Sequence, residues 1–256
     1  ARDEAPISEE DHLRLLRASA GAVLVGGQAL AFWLAWFRID LSDGPRVYVS
    51  SDADFLGSRA HVGAFARAIR GTAAYPPKRG FTALHGVVKK SAGGGEIGVD
   101  VLHRIVGLDA AAVKRRAIEV THPGDPALRF LVMDPVDCLA SRIENLRRLA
   151  DKKNDVGVWQ AAKAIAVCRA YVQALIREDS ERKAIKVATA LFRLAGSAAG
   201  LQAYARFRLD ILEGVPLDDF SSESFVRQQA RRSIASILTL RTGRGLAPLA
   251  KRRRDV

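Results

Sequence analysis

The sequence predicts an α+β fold, with a mixed sheet and flanking helices over residues 1–133 and an all-helical region over residues 134–256. Three observations predict it. Short apolar runs of strand length alternate with helix-period segments through the first half. From Asp134 onward the apolar residues keep a helical spacing. The charge changes near the same place: residues 1–139 hold 17 Lys/Arg against 16 Asp/Glu, and residues 140–256 hold 23 against 12.

The chain opens with a helix over residues 8–20. Ser8 with Asp11 three residues later starts it in the manner of a capping box, and Leu13, Leu16 and Ala20 form its stripe. Val23 to Val25 is a first short strand that stops at Gly26-Gly27, and Gln28 to Phe37 is a second helix. Val47 to Val49 begins another extended run, which continues through Ser50-Ser51 into Asp52-Ala53-Asp54. A helix over residues 58–71 places Val62, Phe65, Ala66 and Ile69 on one face, with Gly71 as its stop.

Tyr75 to Gly80 is a loop, and Phe81 to Lys89 a strand. Gly93-Gly94-Gly95 between two strand-like runs reads as a hairpin loop. In Glu96 to Leu102, Ile97, Val99 and Val101 share one face and Asp100 lies on the other. Ala117–Val120 and Leu128–Val132 are two further strands around the turn His122 to Pro126. Asp134-Pro135 starts a helix, with Asp as N-cap, Pro at the first position and Asp137 in the first turn. Leu139, Ile143 and Leu146 make one stripe, and Ile165, Cys168, Val172 and Leu175 another. Ile185, Leu191 and Leu194 make a third, and Ile234, Ile237 and Leu238 a fourth.

Composition excludes several classes. At 48% hydrophobic residues the chain can bury a sizeable core and is not disordered. No apolar run approaches a bilayer-spanning length. The start, ARDEAPISEED, is acidic and polar rather than a secretory signal. Cys138 and Cys168 both sit in helical patterns, as two reduced core thiols of a cytoplasmic protein would. The five histidines have no paired spacing, which argues against zinc. Neither a Gly-x-Ser-x-Gly elbow nor a P-loop pattern is present. Trp33, Trp36 and Phe37 read as core packing on one helix. The surplus of positive charge in the second half would attract a polyanion such as RNA, and Lys251 to Arg254 extends it.

The chemistry-bearing stretch is Val23 to Phe55. Two carboxylates separated by one residue on an extended chain face the same way. Such a pair repels unless a positive charge lies between, and Mg²⁺ takes one or two protein carboxylates together with substrate phosphates. Gly26-Gly27 at the start of a helix offers backbone N–H groups and room for a phosphate. The two features make one half-site for a metal-bound nucleotide.

Gly-Gly, a helix and then Asp-x-Asp on a strand resembles the nucleotidyltransferase superfamily with the DNA polymerase β-like fold. The resemblance implies a third carboxylate on a later strand, for which Asp100 is the candidate. The segment from Asp134 to Gln160 is similar to a helical stretch of the abortive-infection and toxin-type nucleotidyltransferases. Those typically carry a lysine where Arg142 stands here, and Lys153-Asn154-Asp155 matches their basic-Asp element. Ile39 to Arg46 looks like an inserted turn relative to that pattern. The likeness covers residues 20–165.

What this implies is transfer of a nucleoside monophosphate from an NTP to an acceptor hydroxyl. Asp52, Asp54 and Asp100 would hold two Mg²⁺ ions. Gly26, Gly27, Gln28 and Ser51 would form the nucleotide-holding set. Arg142 or Lys153 would neutralise developing charge, and Asp155 would orient that cation. RNA is the expected acceptor, and an antitoxin protein a possible partner. A small-molecule nucleotidyltransferase and a non-catalytic RNA- or protein-binding module on the same scaffold remain open alternatives.

Overall fold

The computed structural model describes residues 7–42, 52–77, 82–92 and 95–246. The chain forms two compact units, residues 1–141 and 142–256. The first unit contains, in order, α1 (Glu9–Arg17), β1 (Val23–Val25), α2 (Gly26–Trp36), β2 (Ala53–Leu56), α3 (Arg59–Ile69) and β3 (Thr72–Ala74). Then come β4 (Leu84–Ala92), β5 (Gly95–Leu102), α4 (Ala110–Arg116), β6 (Ile118–His122), β7 (Asp125–Val132) and the start of α5 (Pro135–Arg148).

The seven strands make one mixed sheet in the order β3-β4-β5-β2-β1-β7-β6. The centre of the sheet is assembled from chain-distant strands: β2 runs antiparallel to β1 and parallel to β5, while β1 runs parallel to β7. The β3–β4, β4–β5 and β6–β7 pairs are antiparallel.

Alternation explains which face of β5 is buried. Ile97, Val99 and Val101 are almost fully buried, while Gly98, Asp100 and Leu102 between them are half-buried. Phe55 of β2 packs against Phe65 of α3 with the rings tilted and 4.6 Å between their centres, and Val62 and Ile69 complete that helix's buried stripe. Ser8 caps α1 by accepting a hydrogen bond from the Asp11 N–H at 3.2 Å. The buried Asp11 carboxylate is met by Lys90 Nζ at 2.6 Å, so its charge is paired rather than stranded.

Several local expectations are adjusted. α2 begins at Gly26, so the glycines are its first turn and not a turn ahead of it. α3 ends with Arg70 in the left-handed region at φ 57°, and the Gly71 N–H donates to Ala66 O at 2.8 Å. β3 and α4 have no counterpart in the sequence reading. β3 is a three-residue edge strand with little alternation, and α4 has seven residues, too few for a period to show. The expected strand Val47–Val49, Ser51, two of the three linked glycines and the basic tail lie outside the described residues.

Trp33 is core: its Nε1–H donates to Met133 O at 2.8 Å. Trp36, one turn on, is exposed. Cys138 and Cys168 are both buried thiols.

The second unit is helical, with α6 (Asp155–Arg177), α7 (Glu181–Gly196), α8 (Ala198–Phe207) and α9 (Arg231–Thr242). Small residues on α6 and α7, among them Ala161, Ala164, Ala184 and Ala188, are fully buried and let the helices approach closely. The buried Arg241 is matched on two sides. It makes a two-pronged ion pair with Asp210 at 2.7 and 3.1 Å and lies 3.6 Å over the Tyr204 ring. Among the described residues no single helix is long and apolar enough to cross a membrane.

Candidate functional site

The parallel register of β2 and β5 sets Asp54 beside Asp100. Register partners on neighbouring strands point to the same side of a sheet, with the strands about 4.8 Å apart. Asp52 precedes β2 by one residue and falls opposite Gly98 of β5. A methyl group on Gly98 would sit 2.5 Å from Asp52 Oδ1, so the missing side chain makes room for that carboxylate. The three carboxylates therefore share one face of the sheet centre.

Gly26 closes the arrangement from the other side. Val25 pairs with Asp54 across β1 and β2, and Gly26 then turns the chain into α2 with φ 67°. A methyl group on Gly26 would collide with Oδ2 of Asp54. Glycine is thus required twice, for the left-handed backbone and for the close approach. The Asp54 carboxylate lies against the start of a helix, where the exposed N–H groups and the helix dipole favour negative charge.

All three aspartates are half-buried. Burial pushes the Asp100 carboxyl above the ordinary carboxylate range, and the nearby Asp52 charge pushes it the same way. A cation between them would relieve both effects. Among the described residues no three His, Cys, Asp or Glu side chains form a ready-made cage for one ion. Hard oxygen donors taken one or two at a time, with phosphates completing the shell, are what suits Mg²⁺.

The remaining predicted residues divide by unit. Gly27 and Gln28 lie in the first turn of α2. Arg142, Lys153 and Asp155 belong to the second unit. Arg142 Nη1 donates to Gln160 Oε1 at 3.2 Å, and the two line a narrow cleft with Asn145, Lys152 and Gly157. Lys153 and Asp155 are exposed at the N-terminus of α6, where Asn154 is the cap and accepts from the Gly157 N–H at 2.8 Å.

Sequence reasoning missed Gly98. Its signal was present, a glycine interrupting an alternating strand at a position on the Asp100 face. Asp134 was read only as a cap, which it is: Oδ1 accepts from the Val136 N–H at 2.8 Å. Because β1 and β7 are parallel, Asp134 leaves the sheet at the same edge as Gly26. Burial, then the charge of Asp137, raises its carboxyl from 3.8 to about 6. Asp137 itself is held by Arg116 through hydrogen bonds of 2.8 and 3.0 Å.

A raised carboxyl means that the folded state binds the proton more tightly than the unfolded state. Its contribution is present below the unfolded pKa and lost as pH rises through about 6. Asp134→Asn keeps the capping oxygen without the charge. It is expected to stabilise the protein by roughly 2 kcal/mol at pH 8 and by nothing measurable at pH 3. Urea unfolding at the two pH values checks this, and equal effects at both would refute it.

No family model matches the chain, and no curated protein matches it. Among solved structures it is similar to the crystal structure of JHP933 from Helicobacter pylori, at 12% sequence identity and a TM-score of 0.35. The alignment covers 93% of this chain and 97% of that one. A score that low carries no argument about shared function or ancestry.

Proposed function

We propose that the protein is a cytoplasmic, metal-dependent nucleotidyltransferase that moves a nucleoside monophosphate from an NTP to a hydroxyl group of RNA. One observation carries the reading: Asp54 and Asp100 lie side by side in register, with the Asp52 charge bearing on Asp100 and the start of α2 against Asp54. Like charges gathered at a helix N-terminus on a sheet face are costly to a fold that has no use for them. The two buried thiols suit a reducing compartment.

In this reading Asp52, Asp54 and Asp100 hold Mg²⁺, which when bound would supply charge stabilisation at the transferring phosphoryl group and lower the pKa of the acceptor hydroxyl. The chain's own contribution is orientation. Backbone N–H groups in the first turn of α2, at Gly26, Gly27 and Gln28, would donate to phosphate oxygens, because the helix start presents donors without internal partners. Gly98 and Gly26 keep the carboxylates close to the backbone, which limits the positions they can adopt. RNA as acceptor is supported by the excess of 23 Lys/Arg over 12 Asp/Glu in residues 140–256.

The deciding experiment incubates the protein with each α-labelled triphosphate, Mg²⁺ and total RNA and follows label into RNA. Incorporation from one triphosphate is expected. RNA binding should weaken steeply as salt rises, through release of condensed counterions. Label entering only small molecules would favour the antibiotic-type alternative. Salt-sensitive RNA binding without any transfer would favour a non-catalytic module. Substituting Arg142, Lys153 and Asp155 in the same assay tests the roles given to them by resemblance.

A further inference from the structure

Past the C-terminal ends of β2 and β5 lies a second concave site. Arg59, Pro76, Pro77, Thr82, Leu84, His85 and His103 line an open cavity of about 320 Å³. Its two imidazoles face one another at 5.1 Å between ring centres. His103 Nε2 lies 2.9 Å from Thr82 O, which fixes a proton on that nitrogen. Arg59 is the first residue of α3, and its guanidinium lies 4.2 Å over the Tyr75 ring.

The charged and titratable groups facing His85 come from three elements: His103 after β5, Lys114 on α4, and Arg59 and His61 on α3. Partial burial opposes a positive charge on His85, and each of these groups adds to that, so the imidazole is held below its ordinary range. His61 is engaged elsewhere, with Nδ1 at the α3 cap and Nε2 3.0 Å from Ala20 O. Among the described residues Lys114 Nζ reaches only a backbone oxygen, Gly57 O, at 3.4 Å. Among the described residues none of Arg59, His85, His103 or Lys114 forms an ion pair with a carboxylate.

We propose that this cavity binds a phosphate monoester, with Arg59, His85 and His103 around the phosphate oxygens and Lys114 adding positive charge from α4. Guanidinium and imidazolium groups are both suited to phosphate oxygens. The apolar walls at Pro76, Pro77 and Leu84 leave room for the sugar that carries the phosphate. A bound anion reverses the electrostatics of the site: it favours the protonated imidazole that the surrounding cations oppose. Binding of a given ionic form of the phosphate therefore favours proton uptake at His85. The site is distinct from the carboxylate face and stands whether or not that face is catalytic.

The test follows the ring signals of His85 and His103 by NMR in the full chain, with inorganic phosphate titrated at pH 6 and pH 8. Phosphate is expected to raise the His85 midpoint. Arg59→Gln and His85→Gln should each weaken binding at least several-fold, and Asp52→Asn should leave it in place. A mononucleotide and a short RNA with and without a 5′-phosphate then identify the source of the phosphate. A response to the mononucleotide points to a free nucleotide. A response to RNA that requires its 5′-phosphate points to a strand end. An unmoved His85 midpoint, or variants that bind like the wild type, would overturn the proposal.

Discussion

Asp52→Asn is expected to remove nucleotidyl transfer while leaving the fold intact. The substitution keeps the side-chain shape but takes away the charge that reaches Asp100. The loss should be at least on the order of 10²-fold, a typical effect of removing a principal electrostatic stabiliser. Folding should not suffer, because one of three like charges on the same sheet face is gone, and the melting temperature without metal should hold or rise. Two further readings tie the effect to this site. The Asp100 carboxyl should move back toward the ordinary range, since one of its two perturbing causes is removed. Stabilisation by Mg²⁺ with nucleotide, expected in the wild type by mass action, should shrink in the variant. Unchanged transfer would end the nucleotidyltransferase reading. Lost transfer with a lowered melting temperature would instead make Asp52 a structural group.

Gly26→Ala should be strongly damaging to the first unit. It meets two obstacles, a backbone at φ 67° and the Asp54 carboxylate in the space a Cβ needs. The left-handed conformation alone costs a non-glycine residue about 1–2 kcal/mol. Displacing Asp54 adds to that and should also reduce transfer, because the carboxylate no longer lies against the helix start. Gly21 provides the comparison: its φ is 77°, yet a Cβ there meets nothing within 4 Å. Gly21→Ala should therefore show the backbone cost alone. Placing Gly26→Ala in an Asp54→Ala background should recover the part of the stability lost to the carboxylate, though not the contact with the Cβ of residue 54, and no activity. Equal destabilisation by the two glycine substitutions would mean that Asp54 moves aside freely and is not held where the proposal needs it.

Much of the site was legible because it is local. Asp52 and Asp54 are two residues apart, and a period of two alone puts them on one side. The alternation of Ile97, Val99 and Val101 likewise determined that Asp100 points away from the core face, and it does. Asp134-Pro135 determined the start of α5 through a cap and a fixed φ, both properties of the chain itself. The charge of the second half needed only counting. Element boundaries were less legible, since Gly26 and Arg70 take their conformations from what surrounds them as much as from their own preferences.

Tertiary structure alone decided which strand stands beside which. No local signal states that β2 lies between β1 and β5, or that its register sets Asp54 and not Phe55 opposite Asp100. A one-residue slip would turn the carboxylates into the buried face, so the register is held by the many apolar side chains that would be exposed. The same holds for Gly98, whose lack of a side chain acquires meaning only when Asp52 arrives from a strand more than 40 residues away. The His85–His103 cavity is a third case. Histidines 18 positions apart show no pattern in sequence, and β4–β5 pairing together with the start of α3 and the last turn of α4 brings them among cationic side chains. Sequence determined the faces of the elements; the sheet order, which depends on burying all those faces at once, determined which charges meet.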